Sequence, residues 1–203
     1  YYYMKELKFI HVTKCAGTYI ENIGIEHGYK WGRFHREYGW WHKRFPEVNH
    51  TIKRKYDWFC IVRNPYERML SEYYCQWGGI GTKNIKHTVE EFNEYLKDKI
   101  RSEASKIKGH HYTPQFQYID YNEHIYVIKL EEMKIKLPKL FQKYDINIPI
   151  TDIKRVNSKG DKNNSCKFTV DDFDNELISL INTVYEKDFL TFGYDMKNKV
   201  HFL

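Results

Sequence analysis

Apolar residues gather in three short runs separated by longer polar stretches, and those runs set the frame of the fold. Residues 7–12 mix β-branched and aromatic side chains over a strand's length and predict a first strand. Residues 58–62 (Trp, Phe, Cys, Ile, Val) lack polar alternation, which predicts a strand buried on both faces, parallel and central. Residues 124–130 predict a third. Helical spacing fills the intervals. Residues 19–27 put Ile20 and Ile23 on one side. Residues 66–76 follow Asn64-Pro65, and Pro65 suits a first helical turn. Residues 88–106 open on Thr88 with Glu91 three positions on, a capping-box pattern. Residues 132–143 predict a further helix around Pro138. Residues 170–189 carry Phe173, Leu177, Leu180, Ile181 and Val184 at helical spacing and predict one long final helix.

Two stretches have no clean period. Residues 29–55 are rich in Trp, His, Arg and Gly, and irregular segments of that length in compact domains are often functional. Residues 156–167 form a polar loop of Asn, Lys, Ser and Gly. With no internal repeat and no linker, the expectation is one α/β domain over residues 1–203, a central, mostly parallel sheet flanked by helices.

Composition narrows the classes. The chain has 203 residues, 41% hydrophobic and 30% charged, a globular balance rather than a disordered one. Lys and Arg number 33 against 27 Asp and Glu, a net charge of +6 that favours anionic partners. No apolar run reaches the ~20 residues of a membrane span. The four cysteines show neither a C-x-x-C pair nor zinc spacing, so no metal is expected. Cys15 and Cys60 read as small buried thiols. If Met4 is the natural start, the expected compartment is the cytoplasm; if a longer, anchored N-terminus preceded it, the Golgi lumen.

Two motifs carry chemistry. In residues 13–18 (Thr-Lys-Cys-Ala-Gly-Thr) a lysine, small residues and a hydroxyl stand between a strand and a helix, where backbone N–H groups and the helix dipole attract phosphate or sulfate. The loop is not a Walker A sequence, because Lys14 precedes the single Gly17. The second strand ends in Arg63, a cation, where a magnesium-dependent NTPase wants an acid. That run, Arg63-Asn64-Pro65-Tyr66-Glu67-Arg68, puts a guanidinium at the carboxyl end of a buried strand, with Ser71 two helical turns on.

Together the two motifs resemble the PAPS-dependent sulfotransferases (PAPS is 3′-phosphoadenosine-5′-phosphosulfate). The resemblance leans to the carbohydrate branch that includes the heparan sulfate 2-O-sulfotransferases. It is supported by His111-Tyr112-Thr113-Pro114-Gln115, by the strand end Val127-Ile128-Lys129-Leu130-Glu131, and by Tyr185, Asp188, Phe189, Phe192, Gly193 and Tyr194 near the end. It implies a P-loop-like sulfotransferase fold and a transfer from PAPS to a hydroxyl, of a carbohydrate acceptor, with no metal, nucleic acid or membrane segment involved. Lys14, Cys15, Ala16, Gly17 and Thr18 would then hold the phosphosulfate, and Arg63 and Ser71 the 3′-phosphate. Lys159 and Gly160 would close over the adenosine end.

In-line sulfuryl transfer needs a base for the acceptor hydroxyl, and histidine titrates in the right range. The resemblance implies a base histidine in the segment before Arg63. His42, beside Trp40, Trp41 and Lys43, is the first candidate and His35 the second. Lys14 would neutralise charge on the leaving phosphate. His35, Trp41, His111 and Gln115 are candidate acceptor-side residues, with packing roles open for each. Two other classes stay in play: a P-loop-like nucleotide kinase, and a non-catalytic binder of nucleotide or polyanion.

Overall fold

The computed structural model describes residues 5–38, 42–81, 85–106, 111–119, 125–150 and 168–197. The chain divides into two compact units, one drawn from residues up to Arg63 and from Gln115 onward to 154, the other from residues 64–114 and the C-terminal part.

The first unit holds three parallel strands in the order β1 (Leu7–Ile10), β2 (Asp57–Val62), β3 (Ile125–Lys129). The α/β expectation therefore holds, and the unalternating apolar run is the central strand. Phe9 pairs with Phe59, and Phe59 with Tyr126 on the other side. β2 is buried from Trp58 to Val62 because neighbours cover both its edges and both its faces. Helices α1 (Gly17–Glu26), α2 (His50–Lys55) and, in chain order after the second unit's first helices, α5 (Met133–Lys143) flank this sheet. Trp31 is fully buried, packs on Phe59 and Phe141, and donates its indole N–H to Leu7 O at 2.8 Å. That bond satisfies the one polar atom of a large core side chain. The irregular segment contains two short 3-10 turns and α2; it is ordered by packing of Tyr38, Phe45 and Tyr56 around Trp58.

The second unit is helical: α3 (Pro65–Tyr73), α4 (Val89–Glu103), α6 (Asn175–Val184) and α7 (Glu186–Phe192). Its core joins Met69, Tyr73, Phe92, Leu96, Leu177 and Ile181. Thr88 and Glu91 form the capping box at the start of α4, as their spacing predicts. The expected single helix over residues 170–189 is corrected to three pieces. Thr169 caps a 3-10 turn at Val170–Asp172, Asp174 caps α6, and Tyr185 leaves helical geometry at φ −108°, ψ 19° before α7. Tyr185 is fully buried and donates its hydroxyl to Tyr112 O at 2.9 Å. Apolar spacing runs through all three pieces, but the caps fix where each begins.

Among the described residues, no helix is long and apolar enough to cross a membrane.

Candidate functional site

The carboxyl ends of three parallel strands open on one edge of the sheet, where α/β folds bind ligands. β1 feeds the loop of residues 13–16, and β2, its hydrogen-bonded neighbour, is followed directly by Arg63. Both motifs therefore belong to the same edge of the first unit.

The loop has an unusual backbone. Lys14 and Ala16 both lie at φ 59°, in the left-handed region that non-glycine residues rarely enter. Alternating left-handed residues turn successive N–H groups to one side, forming a concave nest for an anion. Ala16 is also the N-cap of α1, and no side chain caps that helix nor does any acid stand in its first turn. The positive end of its dipole therefore faces the loop with no acid in the first turn to offset it. Gly17 begins the helix at a close approach: a Cβ there would lie 2.0 Å from the His11 ring. Lys14, Ala16 and Thr18 are half-buried around this loop, while Cys15 and Gly17 are buried. The assembly is suited to a phosphate or sulfate group with a cation beside it.

Two features behind the loop were not singled out by sequence. His11 Nδ1 contacts Glu21 Oε1 at 2.8 Å, and Glu21 is fully buried on α1. Glu21 also accepts from Arg33 N–H at 2.8 Å and pairs with the Arg33 guanidinium at 3.4 Å. This carboxylate fixes the His11 ring with its other nitrogen toward Gly17. The available signal was an acidic residue at position 21 with Gly17 and Gly24 at helical spacing on its face, small neighbours that let the helix pack closely there. His42 then meets His11 edge-on, ring centroids 4.4 Å apart.

Gln115 is buried and acts as a staple. Its side-chain amide donates to Arg63 O at 2.8 Å and its oxygen accepts from Arg63 N–H at 2.9 Å. The same oxygen accepts from Cys15 Sγ at 3.2 Å. One amide thus ties the loop after β1 to the end of β2.

The remaining candidates lie elsewhere. His35 packs among Tyr38, Tyr56 and Trp58, at the amino end of β2. Roughly 13 Å of strand separates Trp58 from the carboxyl edge. Burial first, then the charge of Lys8, lowers the His35 pKa to about 4. Ser71 sits half-buried on α3 of the second unit. Arg68, in the second motif, is buried and donates to His111 O and Thr113 O, both at 2.9 Å, an anchoring role within that unit. His111 pairs there with Glu72. Trp40, Trp41, Lys159 and Gly160 lie outside the described residues.

A parallel α/β sheet with a lysine-bearing loop after its first strand and an arginine after its central one is the arrangement of an enzyme edge suited to anionic ligands. The particular family follows from comparison. The model of the sulfotransferase family matches residues 4–195, nearly the whole chain, and the chain belongs to that family. It has no significant match among curated proteins or among solved structures. Membership makes the protein an enzyme of sulfuryl transfer, and such an enzyme takes its sulfuryl group from an activated donor.

Proposed function

We propose that the chain transfers the sulfuryl group of PAPS to a hydroxyl of a carbohydrate, with His42 as the base. The observation that carries the donor half is the loop backbone: two non-glycine residues held at φ 59°, directly before a helix N-terminus that no side chain caps. Backbone held in so sparsely populated a region persists where function uses it. A phosphosulfate suits a loop that carries Lys14, the Thr18 hydroxyl and a helix start with no acid in its first turn. When bound, PAPS supplies the electrophilic sulfur and departs as the 3′,5′-bisphosphate.

The rest falls to the chain's own residues. N–H groups of the loop and of the first turn of α1 orient the anion, and Lys14 balances the charge that grows on the leaving oxygen. Arg63, at the end of the adjacent strand, clamps the 3′-phosphate with a fork of donors. His42 accepts the proton of the acceptor hydroxyl. Its contact with His11, which itself lies against Gly17, supports that role. Glu21 holds His11 in one orientation, so the wall beside the base is fixed before substrate arrives. Ser71 keeps the 3′-phosphate role that the family resemblance implies, and Lys159 and Gly160, in the late polar loop, are assigned to the adenosine end. The carbohydrate acceptor rests on that resemblance and on the net charge of +6, which favours an acidic glycan.

The test is calorimetry with 3′-phosphoadenosine 5′-phosphate. Arg63→Ala should weaken binding by about 2 kcal/mol, roughly thirtyfold. His42→Ala should bind it as the wild type does, yet lose turnover with PAPS and a sulfatable glycan. A wild type that ignores the bisphosphate would refute the donor assignment, and full turnover in His42→Ala would refute the base.

A further inference from the structure

The second unit holds a cluster to which the proposed transfer assigns no step. Glu72, near the end of α3, Cys75, in the turn that follows, and His111 each bring one ligand-type atom into a group spanning no more than 4.8 Å. His111 Nδ1 lies 2.6 Å from Glu72 Oε1 and 3.9 Å from Cys75 Sγ. Glu72 is completely buried, and its second oxygen, Oε2, is buried without a hydrogen-bond partner. A carboxylate in that position is left under-satisfied.

The geometry excludes one reading and points to another. In a thiol–imidazole–carboxylate relay, the sulfur and the carboxylate address opposite nitrogens of the ring. Here both converge on the same nitrogen. Three donors meeting at one point is the arrangement of a metal site. Gly78 keeps that point open: a Cβ there would stand 2.2 Å from Glu72 Oε1 and 2.9 Å from His111 Nδ1. The first matches a zinc–oxygen bond of about 2.0–2.2 Å, and the His111 ring would have to approach by about 0.8 Å to reach a zinc–nitrogen bond of about 2.0–2.1 Å. In tetrahedral zinc sites, ligand atoms lie about 3.3–3.6 Å apart, so the carboxylate need withdraw by less than an ångström.

We propose that Glu72, Cys75 and His111 form a binding site for a thiolate-preferring divalent ion, zinc, independent of the donor site. A mixed sulfur, nitrogen and oxygen set selects zinc over magnesium or calcium, which take oxygen ligands. On binding, Cys75 gives its thiol proton to solvent and His111 the proton on Nδ1; three bonds to the metal form and no electron is transferred. Water fills the fourth position, reached past the partly exposed His111 ring. The ion would fasten the end of α3, where Cys75 N–H already bonds Glu72 O at 2.9 Å, to the stretch that carries His111. Cysteine spacing could not reveal such a site, because Glu72 and His111 lie 39 residues apart.

Zinc chloride titrated into the reduced, chelator-treated full chain, against a competing chromogenic chelator, tests this. The wild type should take up one equivalent, and Cys75→Ser, His111→Gln and Gly78→Ala should each lower its affinity at least tenfold. Gly78→Ala sets a methyl group against Glu72 Oε1 and His111 Nδ1 while keeping all three ligand residues in the sequence. Cobalt added to the wild type should give a thiolate-to-metal charge-transfer band, a readout that needs no variant to fold. Absence of that band, or zinc affinity unchanged in all three variants, would overturn the site. Binding of the bisphosphate to zinc-free protein is measured alongside, so failure here stays distinct from failure of the donor proposal.

Discussion

Replacing His35 by phenylalanine should remove an acid-sensitive weakness from the first unit. The ring is 5% exposed, and neither of its nitrogens has a hydrogen-bond partner. It stacks beside Tyr38 and meets Tyr56 edge-on at 5.0 Å. Burial, and then Lys8, lowers its pKa from 6.5 to about 4. Because the folded value is depressed, between those two values the unfolded chain holds a proton that the native one lacks. Native stability therefore falls as pH drops below 6.5 and stops falling once the folded value is passed. The span corresponds to about 3 kcal/mol for this group alone. Phenylalanine cannot titrate, and it relieves two unpaired buried nitrogens, a gain of about 1–3 kcal/mol against a similar cost for any overpacking. Urea unfolding of both proteins across about pH 4.5 to 7 reads the difference, since all other titrating groups are common to the pair. The variant's advantage should widen steadily toward low pH. Parallel curves, with a constant offset, would refute both the depressed pKa and the burial behind it.

Two further substitutions probe the donor edge. Gln115→Leu removes the amide that ties Arg63 to Cys15 and strands a backbone donor and acceptor, so unfolding by urea should show a loss of about 2–4 kcal/mol with weaker bisphosphate binding; an unchanged stability with a raised KM for acceptor alone would instead make Gln115 an acceptor contact. Gly17→Ala forces a Cβ to within 2.0 Å of the His11 ring and should lower bisphosphate affinity at least tenfold by calorimetry; wild-type affinity would mean that the ring is not fixed there.

What could be read from the sequence follows the range of the interaction. The central strand was legible because burial on both faces leaves its mark residue by residue, in the run from Trp58 to Val62. The capping box at Thr88 was legible because its two partners lie three residues apart. The extent of the final helix was not, because apolar spacing continues through Tyr185 while the hydroxyl bond to Tyr112, 73 residues away, belongs to the packed structure. The donor loop was visible as composition, but the left-handed turns at Lys14 and Ala16 were not, since neither residue advertises that conformation. Gln115 was marked as an acceptor-side or packing residue, but its contact with Cys15, 100 positions distant, could not be read from the sequence. His11 and Glu21 escaped for a related reason. Each looks ordinary alone, and only the turn between them brings imidazole and carboxylate to 2.8 Å.

The strain in the loop explains why these supporting residues are where they are. Two non-glycine residues in the left-handed region cost on the order of 1–3 kcal/mol each, and an unliganded nest gives nothing back. The fold has to hold the loop in that shape from behind. Gln115 does so from the side of Cys15 and Arg63, with bonds at 3.2, 2.9 and 2.8 Å. Glu21 does so from the side of His11, whose ring closes over Gly17 and leaves the helix start only one position. An anion entering such a cradle meets donors already aligned, and the ordering cost has been met in folding rather than in binding. Glycine at positions 14 and 16 would relax the strain but surrender the lysine charge and the rigidity together. The residues behind the loop are therefore as much a part of the site as those that face the ligand.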